Sequence, residues 1–199
     1  SRPDRRGAVL VLAAAMLLVV FGIAAFTVDF GILNVTKGQI QNAADSAALA
    51  ATQDLIQGLG PGATVTTQVA AANAGITAKD MVHEFRSGDV NSTALSIERD
   101  VRFGRRSWDP NTKAWVKAWG STPYNMVEVS VRRTKAASAP LGSVFSKVFG
   151  FNSFDVEARS VASVAPATGF RIPPNASGAT GGTETIDLLP IALDLTTWN

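Results

Sequence analysis

Between Gly7 and Val28 the chain runs for twenty-two residues, GAVLVLAAAMLLVVFGIAAFTV, without one charged side chain. As a helix rising ~1.5 Å per residue this segment is about 33 Å long, close to the ~30 Å of a bilayer's hydrocarbon core. It is apolar on every side, as a helix surrounded by lipid must be. Few other sequence features restrict a chain so strongly.

The run continues without a break signal into DFGILNVTKGQIQNAADSAALAAT. Here Leu33, Ile40, Ala44, Ala47, Ala51 and Leu55 recur at helical spacings, which predicts one packed stripe and one wet face. The two halves read as a single helix whose solvent changes along its length, with residues 7–28 as the transmembrane span and 29–57 as its extension. Gly58-Leu59-Gly60-Pro61-Gly62 ends it.

Arg2, Arg5 and Arg6 precede the span in a basic segment, residues 1–6. A secretory signal also starts this way, but its apolar region is ~7–15 residues and ends at a small-residue cleavage site. The present run is longer and leaves through Phe26-Thr27-Val28-Asp29-Phe30, so a retained anchor is expected. Three arginines before the span place the N-terminus in the cytoplasm and the rest of the chain across the inner membrane. Asp29 then sits at the end of the span. It reads either as a carboxylate at headgroup level or as a buried partner for a basic group on a neighbouring subunit. The small residues of Ala43–Ala51, among them Ala44, Ala47, Ala48 and Ala51, allow a second helix to come close. Gln41 and Asn42 open this segment, and Asp45, one turn after Gln41, is placed either to bond with it or to solvate the wet face.

Beyond the glycine-rich turn, residues 62–165 read as an exported α+β domain. A second helix is expected at about Val65–Ala78, capped by Thr64. From Thr93 the period changes to two: Leu95, Ile97, Val101 and Phe103 alternate with polar residues, as in a half-buried strand, and Arg99 is a misfit on the inward side. Trp108–Trp115, with Asp-Pro-Asn at its centre, predicts a hairpin carrying a tryptophan on each arm. Met126–Arg133 predicts a strand with Val127, Val129 and Val131 inward and Glu128, Ser130 and Arg132 outward. Ser138–Phe149 predicts a helix with Leu141, Val144, Phe145, Val148 and Phe149 as its packed face, ended by Gly150. Phe154–Arg159 predicts a last strand continuing to about Val164. Pro166–Thr183 reads as a linker and Leu188–Trp198 as an edge strand or docking segment, together residues 166–199.

Composition removes whole classes of chemistry. There is no cysteine, hence no disulfide, thiolate metal site or cysteine nucleophile. A net charge of +2, with no basic stripe, gives no footprint for nucleic acid. The one histidine, His83, stands without the Ser and Asp setting of a triad, and no acids gather at metal-ligand spacing. No catalytic residue, cofactor or metal is expected.

The segment RRGAVLVLAAAMLLVVFGIAAFTVDFGILNVTKGQIQNAADSAALAAT resembles the N-terminus of TadG-like (TadE/G-like) proteins of tight-adherence, or Flp, pilus loci. Its most specific part is Gln41-Asn42-Ala43-Ala44-Asp45-Ser46-Ala47-Ala48-Leu49-Ala50. Trp108-Asp109-Pro110, the Val127–Arg133 strand and the Val144–Gly150 segment followed by Phe154-Asp155-Val156 are similar to the family as well. The resemblance implies an α+β protein whose long transmembrane helix continues into a pilin-like head with an antiparallel sheet and short packing helices. It implies a non-enzymatic, inner-membrane component of pilus assembly, with a periplasmic or extracellular head. Its partners would be the lipid bilayer and other membrane helices, including copies of itself. A filament subunit, or an accessory subunit of another membrane complex, would use the same anchor. Minor pilins of these systems carry a glutamate five residues into the mature chain; counted from Ala8, that position is Leu12.

Overall fold

The computed structural model describes residues 6–165, with side chains from Val9 onward. The basic residues Arg2 and Arg5 and the expected linker and C-terminal segment, 166–199, lie outside the described residues. The first element, α1 (Arg6–Leu55), is one uninterrupted helix of fifty residues, about 75 Å long. Its apolar first half stands bare: Leu10, Leu18 and Phe21 are all well exposed. Its second half is the centre of the fold. Ile40, Ala43, Ala44, Ala47, Ala48, Ala51 and Leu55 are buried in the core of the head.

Two layers cover this half of α1. One is α2 (Thr67–His83), which follows a 3-10 turn at Ile56–Gly58. It presents Ala70, Ala71, Ala74, Gly75, Ala78 and Val82 as its buried face. Two alanine- and glycine-lined surfaces can approach closely, and the resulting contact is extensive despite the small side chains. The helix is capped by Thr66, whose hydroxyl accepts from the Val69 N–H at 3.3 Å, two residues later than the expected Thr64. It also runs a turn beyond the expected end.

The other layer is an antiparallel sheet in the order β2-β1-β3-β6. Its strands are β1 (Val101–Asp109), β2 (Ala114–Trp119), β3 (Met126–Arg133) and β6 (Val156–Ser163). A two-stranded ladder, β4 (Leu141–Gly142) with β5 (Ser153–Phe154), closes a loop between β3 and β6. Val127, Val129 and Val131 of β3 are wholly buried and belong to the core cluster with α1 and α2. Glu128 and Ser130, expected to face water, are also buried. β3 is flanked on both sides, and Glu128 lies under Arg102 of β1 and Arg159 of β6, at 3.5 and 3.9 Å.

Two expected elements differ. The alternation from Thr93 is not a strand throughout: Ile97–Asp100 is a single helical turn, α3, and β1 starts only at Val101. The local cause is Asp100, buried, which accepts from the Ser96 N–H at 3.1 Å and from Arg99. Arg99 is therefore no inward misfit, since the turn carries it outward to pair with Asp100 at 2.7 Å. The helix expected at Ser138–Phe149 is instead β4 and a short 3-10 turn, Ser146–Phe149. Of its expected apolar face only Leu141 packs into the core, while Val144, Phe145, Val148 and Phe149 are exposed. The Trp108–Trp115 hairpin forms as expected, with the two rings edge to face at 5.5 Å.

Candidate functional site

The junction between the bare and the packed halves of α1 is built around Asp29. The carboxylate is 3 % exposed, although it lies only one residue beyond the apolar run. It accepts from three successive backbone N–H groups of the loop between β4 and β5. Val144 donates to Oδ1 at 2.9 Å, Phe145 to both oxygens at 3.2 and 3.1 Å, and Ser146 to Oδ2 at 2.6 Å. The Ser146 hydroxyl donates to Oδ2 at 2.5 Å. These N–H groups open the 3-10 turn, where helical geometry leaves donors without partners in the chain's own helix. A carboxylate there satisfies them and meets the positive end of the turn.

The titration of Asp29 follows from this. The Ser146 hydroxyl bond holds its pKa down, burial works against that, and the three backbone bonds add to the lowering, leaving it at about 2 from an ordinary 3.8. The group stays ionised at any physiological pH. Its partners among the described residues are neutral dipoles of its own chain. Two residues away on the helix, Gly31 leaves space at its surface, and the side chain of Thr36 further along is fully buried.

A second clasp holds the same end of the head. Arg133, at the end of β3, is 1 % exposed. It donates to the carbonyls of Ala139 at 2.8 Å and Pro140 at 3.3 Å, to the carbonyl of Ser87, and to the Asp89 carboxylate at 2.8 Å. Gly88, between the last two, donates its N–H to Gln39 of α1 at 2.7 Å. Its φ is +63°, and a Cβ there would lie 2.7 Å from Leu141 Cδ1 and 2.8 Å from Thr36 Oγ1. Thus β3, the 86–90 loop, β4 and α1 meet at one place beside the root of the Asp29-bound loop.

The small-residue segment of α1 is placed differently from a free docking stripe. Ala44, Ala47, Ala48 and Ala51 are 0 % exposed, covered by this chain's own α2 and sheet. Closeness of helices is achieved, but within the molecule. Gln41 donates to Asp45 at 3.0 Å, as the spacing predicts, and also reaches the Arg159 carbonyl of β6 at 3.4 Å. Asn42 and Asp45 are exposed. Of the residues singled out from sequence, only these two and the rim of Gln41 are open to a partner. Nothing in the sequence pointed to the 144–146 amides as partners of Asp29, nor to Arg133 as the centre of the second clasp. Backbone N–H groups leave no compositional trace, and the separations exceed a hundred residues.

Among the described residues no three His, Cys, Asp or Glu side chains gather as a metal site. His83 is exposed at the end of α2. The site has the chemistry of a structural joint: fixed dipoles gathered on a buried carboxylate. No curated protein and no solved structure matches the chain. One family model does match, and it covers α1 from the start of the apolar run to the penultimate residue of the helix: residues 7–54 carry the sequence pattern of the putative Flp pilus-assembly TadE/G-like family.

Proposed function

We propose that the protein is a membrane-anchored, non-enzymatic structural component of a tight-adherence pilus assembly. In this reading α1 crosses the bacterial inner membrane once, with its N-terminus in the cytoplasm and its head on the far side. The observation that supports it is the coincidence of the family match with one continuous helix. The helix is bare and apolar where lipid would surround it and packed where the head begins. Such a rod fixes the head's height and orientation above the bilayer. It leaves the span, and the wet face of the extension at Val35, Asn42 and Leu49, open to other helices of an assembly.

Membrane isolation followed by site-specific photocrosslinking tests this. The chain should resist extraction by high salt, require detergent, and crosslink from Phe21 and Leu49 to other membrane proteins of the pilus system. Crosslinkers at the covered Ala47 should give no intermolecular product. A mature chain starting beyond Asp29, or one released by salt, would overturn the anchoring. The filament-subunit alternative rests on the same bare span packing against copies of itself, and requires the chain to appear in sheared surface fractions.

A further inference from the structure

The Asp29-bound loop carries a cluster of exposed apolar side chains: Val144, Phe145, Val148, Phe149 and Phe151. Val148 is 84 % exposed and both Phe149 and Phe151 are above 60 %, unusual for neighbours in one short loop of a water-facing domain. The loop is not loosely hung. It is closed at its base by β4 and β5, by the Ser143 N–H to the Asn152 carbonyl at 3.1 Å, and by the Phe151 N–H to the Ser146 carbonyl at 3.0 Å. Asp29 fixes its other side. Gly150, at φ +88°, turns the chain back.

Where the loop lies decides what covers it. Phe145, Val148 and Phe149 form one wall of an apolar groove of about 400 Å³ whose other wall is α1 from Leu18 to Val28. That wall is the last eleven residues of the uncharged run, about 15 Å of helix from first to last, or half the thickness of a bilayer's hydrocarbon. A loop beside those turns is therefore at the depth of the same solvent that surrounds them. We propose that the 144–151 loop is a second membrane contact, a wedge inserted into the outward leaflet, with the groove between it and α1 occupied by a lipid acyl chain. The inference rests on the anchoring of α1 proposed above.

The rest of the loop's chemistry fits that occupant. Backbone amides are groups that lipid cannot satisfy; those of Val144, Phe145 and Ser146 are taken up by Asp29, and those of Val148, Gly150 and Phe151 by the loop's own carbonyls. Lys147, the one charged side chain of the 3-10 turn, is exposed and long enough to reach phosphate headgroups from an apolar setting. The Asp29 clasp thus joins two apolar elements, the span and the wedge, so that they enter the bilayer as one unit. A single helix can tilt and rotate about its axis; a helix with a rigid apolar wedge at one side has a preferred rotation.

Because the chain lacks cysteine, single-cysteine variants can carry an environment-sensitive fluorophore at chosen sites. The full chain would be reconstituted in phosphatidylethanolamine–phosphatidylglycerol vesicles with labels at Val148→Cys, Phe149→Cys, Leu12→Cys in the span and Thr112→Cys at the hairpin. The expected result is several-fold brighter, blue-shifted emission at Val148, Phe149 and Leu12 than at Thr112. Quenching by lipids spin-labelled on their acyl chains should be at least two-fold at Val148, Phe149 and Leu12. Leu12 quenched by lipid while both loop positions are quenched by aqueous iodide overturns the wedge and leaves the anchor standing. Loop positions shielded from iodide and from lipid quenchers alike show a protein occupant and also overturn it. Leu12 unquenched by lipid removes the anchor reading and the wedge together.

Discussion

Replacing Arg133 by methionine measures how the Asp29 end of the head is held. Methionine keeps much of the unbranched stem but has no donor. The four bonds that Arg133 makes are not equal. Asp89 is 63 % exposed, so its carboxylate rehydrates, and an exposed pair of this kind contributes at most about 1 kcal/mol. The Pro140 bond is long, at 3.3 Å. Ser87 is wholly buried, and its carbonyl would keep only a 3.3 Å bond from the Val90 N–H. A buried acceptor stripped of a charged donor costs about 1–3 kcal/mol, and the Ala139 carbonyl adds about 1 kcal/mol. The expected loss is roughly 3 kcal/mol, or a Tm lower by roughly 10 °C for a head of this size. Near-ultraviolet circular dichroism of the tryptophans in β1 and β2 reads the transition in the detergent-solubilised full chain. Asp89→Asn should lower Tm by less than a third as much. A Met variant within about 2 °C of the parent, or an Asn variant as damaged as it, would refute the carbonyl-based account.

Three further outcomes are expected. Ala47→Leu places extra carbons where α1 meets its own cover, so it should destabilise the head by about 1–3 kcal/mol in denaturant unfolding; if it left folding intact and only weakened assembly, the intramolecular placement would be wrong. Gly88→Ala combines left-handed backbone strain with contacts under 3 Å to Leu141 and Thr36, and should cost roughly 2–4 kcal/mol by the same measurement. Asp29 has a folded pKa below its unfolded one, so its contribution is complete above about pH 4 and is lost as pH falls towards about 2. A fluorophore at Lys147→Cys should report release of the loop across that window, and Asp29→Asn should abolish the pH step; a step unchanged by that substitution would assign it to another carboxyl.

The sequence carried the skeleton more readily than the joint. The uncharged run and the alanine periodicity after it are local patterns, and α1 follows them. The same holds for the tryptophan hairpin, whose turn is set by Asp109 accepting from Asn111 and Thr112. Misreadings fell where local pattern and tertiary surroundings disagree. The spacing of Leu141, Val144, Phe145, Val148 and Phe149 satisfies a helix with a packed face, but periodicity does not say what the apolar face packs against. The Ala43–Ala51 stripe announced a close helix without saying whose. Asp29 announced itself only by being charged. What it binds is a run of amides more than a hundred residues away, which composition does not encode.

Because α1 precedes every other part of the core that it centres, the order of synthesis has a cost. Its alanine stripe is covered on one side by α2, which follows within a few tens of residues. The other side waits for β6, where Lys37 and Gln41 reach the carbonyls of Glu157 and Arg159. At a synthesis rate of ~5–20 residues per second this leaves one flank of the nascent helix uncovered for roughly 5–20 s. Until then that flank is apolar surface open to premature association. Chains halted before Val156 should remain protease-sensitive throughout the head.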